Sequence, residues 1–182
     1  LNRTDADGGS DKNLNAAVQQ GNSTFFIFFT LPVEDHVKKK ISTELLPYGR
    51  TEFPEFTPLW NPDNAPDLRQ SNESSRLVAI ADRQISPDLI QMQTEKQTLH
   101  SVVLINPEFR SDVGRKLHLL EIPVLIISSA ELNWALRSQA ISYHDLISGS
   151  EMVNVRSSAI NPLLELKSQV FNAIIKFEKN AF

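Results

Sequence analysis

Four carboxylates, Asp35, Asp82, Glu108 and Glu131, each stand a few residues after a short apolar run. Acids brought together there could exchange protons with a substrate or hold a hard cation. Surface acids paired with nearby bases are the plainer reading. Two hydroxyls, Ser86 and Ser157, and the amide Gln84 occupy the same kind of position. A serine becomes a nucleophile only with a base beside it. The four histidines are His36, His100, His118 and His144, and no two are spaced i, i+4 as a helical metal pair requires. Each is explained as well by a surface or packing role. There is no cysteine, which removes disulfides, thiolate nucleophiles, iron–sulfur clusters and thiolate zinc sites. None of the six glycines (Gly8, Gly9, Gly21, Gly49, Gly114, Gly149) sits in the turn after a confidently predicted strand. The amide cradle of a phosphate or dinucleotide site is therefore missing. No cofactor and no metal are expected.

Charge narrows the partners. The net charge of −4 argues against a nucleic-acid surface, which needs a local excess of Lys and Arg. The one basic run, Lys38-Lys39-Lys40, lies among Glu34, Asp35 and Glu44 and reads as a solvated helix face. Hydrophobic residues at 41% and charged residues at 22% suit a globular domain with a real core rather than a disordered chain. No stretch approaches the roughly 18 to 20 apolar residues of a membrane helix. The chain starts with Leu1 rather than Met, which points to a processed or trimmed product and favours the periplasm slightly over the cytoplasm.

The elements that would position these residues follow from hydrophobic pattern. Residues 1–23 are polar and read as a flexible lead, with a short helix around Leu14 to Gln20. A single α/β domain is expected over 24–182. Thr24 to Thr30 is a continuous aromatic run, the mark of a strand buried on both faces. Val37, Ile41 and Leu45 recur every four residues and predict a helix over Glu34 to Leu46. Residues 47–75 hold five prolines and read as an irregular loop anchored by Phe53, Phe56, Leu59 and Trp60. Further strands are predicted at Arg76 to Ala81, Ser101 to Asn106 and Pro123 to Ser128, with a weaker edge strand at Met152 to Arg156. Helices are predicted at Pro87 to Gln97 with Ser86 as its N-cap, around Phe109 to Leu120, and over Glu131 to Ser142. A last helix is predicted from Pro162, capped by Asn161, with Leu163, Leu166, Val170, Ile174 and Phe177 in one stripe. The alternation implies an α/β fold: a mostly parallel sheet of about five strands with helices on both faces. In such sheets ligands bind beyond the carboxyl ends of the strands. That places Asp35, Asp82, Gln84, Ser86, Glu108, Glu131 and Ser157 around one candidate crevice.

The stretch from Leu77 to Phe109, then Leu119 to Ile127, Asn133 to Tyr143, Met152 to Arg156 and the final helix resembles the C-terminal half of an α/β-hydrolase. In particular it is similar to an uncharacterised, often exported bacterial family of hydrolase-like proteins, domain of unknown function 3530. The resemblance spans about Thr24 to Phe177 and rests on patterns rather than on a signature motif. It implies a nucleophile elbow, Gly-x-Ser-x-Gly, just after Ala81, where this chain has Asp82-Arg83-Gln84-Ile85-Ser86. Gln84 stands at the serine position and neither glycine is present. The resemblance implies an acid near Ser128 to Glu131, where only Glu131 qualifies, and a histidine near Arg156 to Ile160, where there is none. It also implies more sheet before Phe25 than the chain holds, so the fold is expected to be trimmed as well as inactive.

A second resemblance, to thioredoxin-like components of conjugative secretion systems, rests on Phe26 to Pro32, Asn106-Pro107-Glu108-Phe109, Ile122 to Ile126 and Ser148-Gly149-Ser150. It implies a cis-proline at Pro123, but the redox cysteine pair is missing. The expected function is a non-catalytic α/β-hydrolase-like domain that acts as a binding or interaction module for a protein or other partner. The alternatives are a hydrolase with an unorthodox site at the same strand ends and a component of a bacterial envelope assembly.

Overall fold

Six consecutive residues of β1 (Thr24–Phe29) are buried, so this strand is covered on both faces, as its unbroken aromatic run requires. The computed structural model describes residues 24–30, 32–54 and 76–181. The expected lead over 1–23 lies outside them, as do Phe56, Leu59 and Trp60 of the proline-rich loop. After β1 come α1 (Asp35–Leu45), β2 (Gly49–Glu52), β3 (Arg76–Ala81), α2 (Ser86–Lys96), β4 (Ser101–Ile105) and the single turn α3 (Ser111–Gly114). Then follow a 3-10 turn (Leu117–Leu119), β5 (Val124–Ser129), α4 (Trp134–Leu146), β6 (Glu151–Val155) and α5 (Ser168–Asn180).

The strands form one sheet in the order β2-β1-β3-β4-β5-β6, every described pair parallel. Side-chain alternation sorts the core into two layers. Phe26, Phe28, Val78, Ile80, Val103, Ile105, Leu125 and Ile127 meet Ile41 and Leu45 of α1 and Val170, Ile174 and Phe177 of α5. Phe25, Ile27, Leu77, Ala79, Leu104 and Ile126 meet Leu89, Ile90 and Met92 of α2 and Ala140 and Tyr143 of α4. Each fully buried Leu, Ile or Phe contributes about 1.5–3 kcal/mol of transfer free energy. Helices thus cover both faces, and the carboxyl ends of the four strands β3 to β6 align at one rim.

Four features depart from the sequence reading. The sheet has a sixth strand, β2, inside the segment read as irregular. Its residues alternate half-buried and exposed and carry no apolar run to announce them. The helix expected over Phe109 to Leu120 shrinks to α3 and the 3-10 turn. At Gly114 a Cβ would lie 2.6 Å from the Phe109 ring, so the chain turns there against that ring. The last helix begins at Ser168, not Pro162. Asn161 Oδ1 accepts from Leu163 N at 3.1 Å, and Leu166 adopts φ +55, which interrupts any helix before Lys167. Leu163 and Leu166 still reach the same apolar layer, so the stripe is real although its first members are not helical. Finally, no described peptide bond is cis, so Pro123 is trans, and an all-parallel described sheet does not fit the thioredoxin-like expectation. No described helix is long and apolar enough to cross a membrane.

Candidate functional site

The turn after β3 is where the hydrolase resemblance expects a nucleophile. Asp82 there is 5% exposed and Ser86 is fully buried, while Gln84 is exposed. Ser86 Oγ donates to Asp82 O at 2.6 Å, and Ser86 N donates to the same carbonyl at 3.0 Å. The hydroxyl points back into its own turn. This corrects the expected cap: Ile85 precedes the helix, no side chain caps it, and Ser86 is its first residue. A nucleophile elbow also holds its central residue at strained positive φ. The described non-glycine residues with positive φ are Gln97, Asn106 and Leu166, so the Asp82–Ser86 turn is relaxed.

Beside this turn Arg83 reaches α4. Its Nη2 donates to Gln139 Oε1 at 2.9 Å and lies 3.7 Å from Glu108 Oε1. Gln139 Oε1 also accepts from Phe109 N at 3.1 Å. Glu108 N donates to Arg83 O at 3.0 Å, and Tyr143 OH donates to Glu108 O at 2.9 Å. Burial pushes the Tyr143 phenol well above its ordinary range, so it stays protonated as that donor. Two residues beyond Glu108, Arg110 forks onto Asp88 Oδ1 at 2.7 Å and Asp112 Oδ2 at 2.9 Å, which holds the Asp112 carboxyl below its ordinary value.

One amide ties the ends of β4 and β5 to the segment that follows β6. Asn106 is 1% exposed, with φ +44. Its Nδ2 donates to Ser129 Oγ at 2.9 Å and to Ile160 O at 2.7 Å, and its Oδ1 accepts from Ser129 N at 2.8 Å. Ser129 Oγ donates onward to Ala159 O at 2.8 Å. Ala130 N donates to Val155 O and Glu131 N to Ser157 O, at 2.9 and 3.1 Å. Ser157, also 1% exposed, donates to Glu165 Oε2 at 2.6 Å and accepts from Ala159 N at 2.9 Å. Lys167 sits 2.8 Å from the same Glu165 oxygen, and together with Ser157 it holds that carboxyl low. Ser128 Oγ and Asn161 Nδ2 lie buried beside this knot without a hydrogen-bond partner.

The candidate residues therefore divide. Asp82 and Ser86 share one turn, and Glu108 adjoins it through Arg83. Glu131 and Ser157 meet through the backbone, while the Glu131 carboxylate faces Arg156 Nε at 3.3 Å. Asp35 stands apart on α1, exposed and 3.7 Å from Lys38 Nζ. Gln84 is exposed and makes no side-chain hydrogen bond to another described residue. The carboxylates do not converge: among the described residues no three His, Cys, Asp or Glu are placed to hold a metal ion. His36 stands beside Asp35 in the first turn of α1, exposed, with its Nδ1 3.1 Å from Glu34 Oε2. His100 Nδ1 accepts from Leu77 N, at the amino end of β3, and His144 Nδ1 lies 2.9 Å from Ser150 Oγ, just before β6 begins. Asn106 ends a predicted strand at this rim but is not among the seven candidate residues. A lone asparagine after an apolar strand is a weak signal, though Asn tolerates left-handed backbone better than most residues.

A parallel sheet in this order, with α1 and α5 on one face and α2 and α4 on the other, defines an α/β-hydrolase-like fold. A predicted CIB-like hydrolase from Thermoplasma acidophilum matches with a TM-score of 0.73 at 12% identity, over 89% of this chain and 89% of that one. The enol-lactonase from Burkholderia xenovorans LB400 matches with a TM-score of 0.70 at 11% identity, over 88% and 93%. The α/β hydrolase MGS-MChE2 from a Mar Chica lagoon metagenome matches with a TM-score of 0.73 at 8% identity, over 89% and 94%. No protein-family model and no curated protein matches the sequence. At these identities the likeness establishes the fold and says nothing of the reaction.

Proposed function

We propose that this chain is an α/β-hydrolase-fold domain that does not hydrolyse and instead binds a partner at the carboxyl ends of its strands. The carrying observation is that the buried polar side chains where the fold would carry its acid and imidazole are already committed, Asn106 to Ser129 and Ser157 to Glu165 and Ala159 N. The relaxed Asp82–Ser86 turn supports the same reading. A hydroxyl already given to a carbonyl, with no histidine in contact, has nothing to take its proton. Two large apolar side chains are exposed at this end of the sheet: Trp134, 69%, at the start of α4, and Ile160, 52%, in the segment after β6. Exposed large apolar side chains gathered at one rim suit a binding surface.

The test is hydrolysis of p-nitrophenyl esters of short and long acyl chains by a folded, monodisperse sample. Turnover indistinguishable from buffer is expected. Esterase activity that disappears in Ser86→Ala would establish the rival reading, hydrolysis by an unorthodox site, which draws its support from the hydrolase and lactonase names of the structural neighbours. The metal-dependent form of that rival predicts a melting temperature raised by Mg²⁺, Ca²⁺ or Mn²⁺. A flat response removes it.

A further inference from the structure

The amino ends of the strands, opposite the candidate crevice, hold a hollow of about 270 Å³ whose walls are all described residues. It lies between the last turn of α2 and the segment that leads into β5. One buried amide fixes its shape. Gln93, 3% exposed, accepts from Leu99 N at 2.9 Å through Oε1 and donates to Leu99 O at 3.5 Å through Nε2. Gln97, in the left-handed region at φ +49, turns the chain off the helix just before. The loop is thus held in place before any ligand arrives, as it is in most small-molecule sites.

Two chemistries line it. Leu99, Leu120 and Ile122 supply apolar surface, and Leu119, 55% exposed, extends it outward. Thr94 and Gln97 bring the carboxyl end of α2. Gln93 O accepts from Gln97 N at 2.9 Å, whereas no described backbone N–H donates to Thr94 O or Glu95 O. Such orphaned carbonyls are the negative end of the helix dipole. Glu121 is the charged residue of the lining, exposed and in no ion pair with another described residue. Lys116, on the preceding turn, is held instead by Glu95 at 3.3 Å. A negative helix end and a carboxylate beside apolar surface repel an anion and attract a cation that brings an apolar body. The volume, equal to about nine waters, suits a short alkylamine rather than a nucleotide.

We propose that this hollow binds a small organic cation, a short primary alkylammonium, with its charge on Glu121 and the carboxyl end of α2 and its chain along Leu99, Leu119 and Ile122. The ligand is small and its charge pair exposed, so affinity is on the order of millimolar and falls with salt. The test is titration of the ¹⁵N-labelled chain with n-hexylammonium chloride, followed by amide shifts, with sodium hexanoate and n-hexanol as the anionic and neutral comparisons. Saturable shifts are expected at Gln97, Leu99, Glu121 and Ile122, with both comparisons binding more weakly. Glu121→Gln weakens hexylammonium by about threefold or more and leaves hexanol unchanged, whereas Leu119→Ala weakens both. The amide spectrum of each variant confirms its fold. Shifts that do not saturate overturn the proposal. So does hexanoate binding as tightly as hexylammonium, or a Glu121→Gln variant that binds like the parent. Shifts confined to the far end of the sheet, around Trp134, also overturn it. The hollow and the strand-end rim lie at opposite ends of the sheet, so failure here leaves the partner-binding reading standing.

Discussion

At the scale of the residue, two side chains carry more than their neighbours. Asn106→Ala removes three hydrogen bonds, strands Ser129 N and Ile160 O, and leaves an alanine at φ +44. Unmade buried bonds and unfavourable backbone together cost about 2–5 kcal/mol, measurable by urea unfolding. Asn106→Gly loses the same bonds but tolerates the backbone angle, so it should be about 1 kcal/mol less damaging than alanine. Equal losses would mean the left-handed angle is not strained. The second residue is Glu178 of α5, 7% exposed, accepting from Thr24 at 3.5 Å and Ser101 at 3.3 Å. Burial raises its pKa, partly offset by the Ser101 bond, the nearby Arg76 charge and the Thr24 bond. The folded chain thus holds this proton more tightly than the unfolded chain. Its contribution is fully present below the unfolded value, about 4.3, and is lost as pH rises through the higher folded value. Glu178→Gln removes that titration, so its stability relative to the parent should climb between pH 4 and pH 8. A difference that is flat with pH would show that the carboxyl is not penalised in the fold. Neither residue stood out in the sequence. An asparagine after a strand and a glutamate near the end of an amphipathic helix have no periodic signature, and their partners lie 23 and 154 residues away.

At the scale of the element, legibility followed hydrophobic pattern. β1, β3, β4 and β5 are unbroken apolar runs, and each was readable because both its faces are buried. β2 was not, since a four-residue edge strand of Gly-Arg-Thr-Glu buries little and is specified by pairing with β1. The start of α5 was misplaced because Asn161-Pro162 imitates a helix start, whereas Leu166 in the left-handed region breaks the run beyond it. The candidate crevice was legible as a place, the carboxyl ends of the strands, but not as a set of contacts. The direction of the Ser86 hydroxyl depends on which turn its helix starts from, and that cap was assigned one residue wrong. The helix that does have a side-chain cap is α4: Asn133 Oδ1 accepts from Leu136 N at 3.1 Å. Asn133→Ala should cost about 1 kcal/mol, read as a lower urea midpoint with unchanged slope. No loss at all would mean water satisfies that turn equally well.

At the scale of the whole molecule, a parallel sheet covered on both faces opens from its margins inward. β3 and β4 lie at the centre, fully paired, with nearly every residue buried. Their amides can exchange with solvent only when the core itself comes apart, so their protection should approach the global unfolding free energy. Among the described residues β2 is paired with β1 alone and buries no residue completely, so its amides should exchange through local fraying that leaves the centre intact. Hydrogen exchange in dilute solution should therefore rank β2 far below β3 and β4, with β6, the other margin, between them. Uniform protection across the sheet would mean that the strands open as one unit.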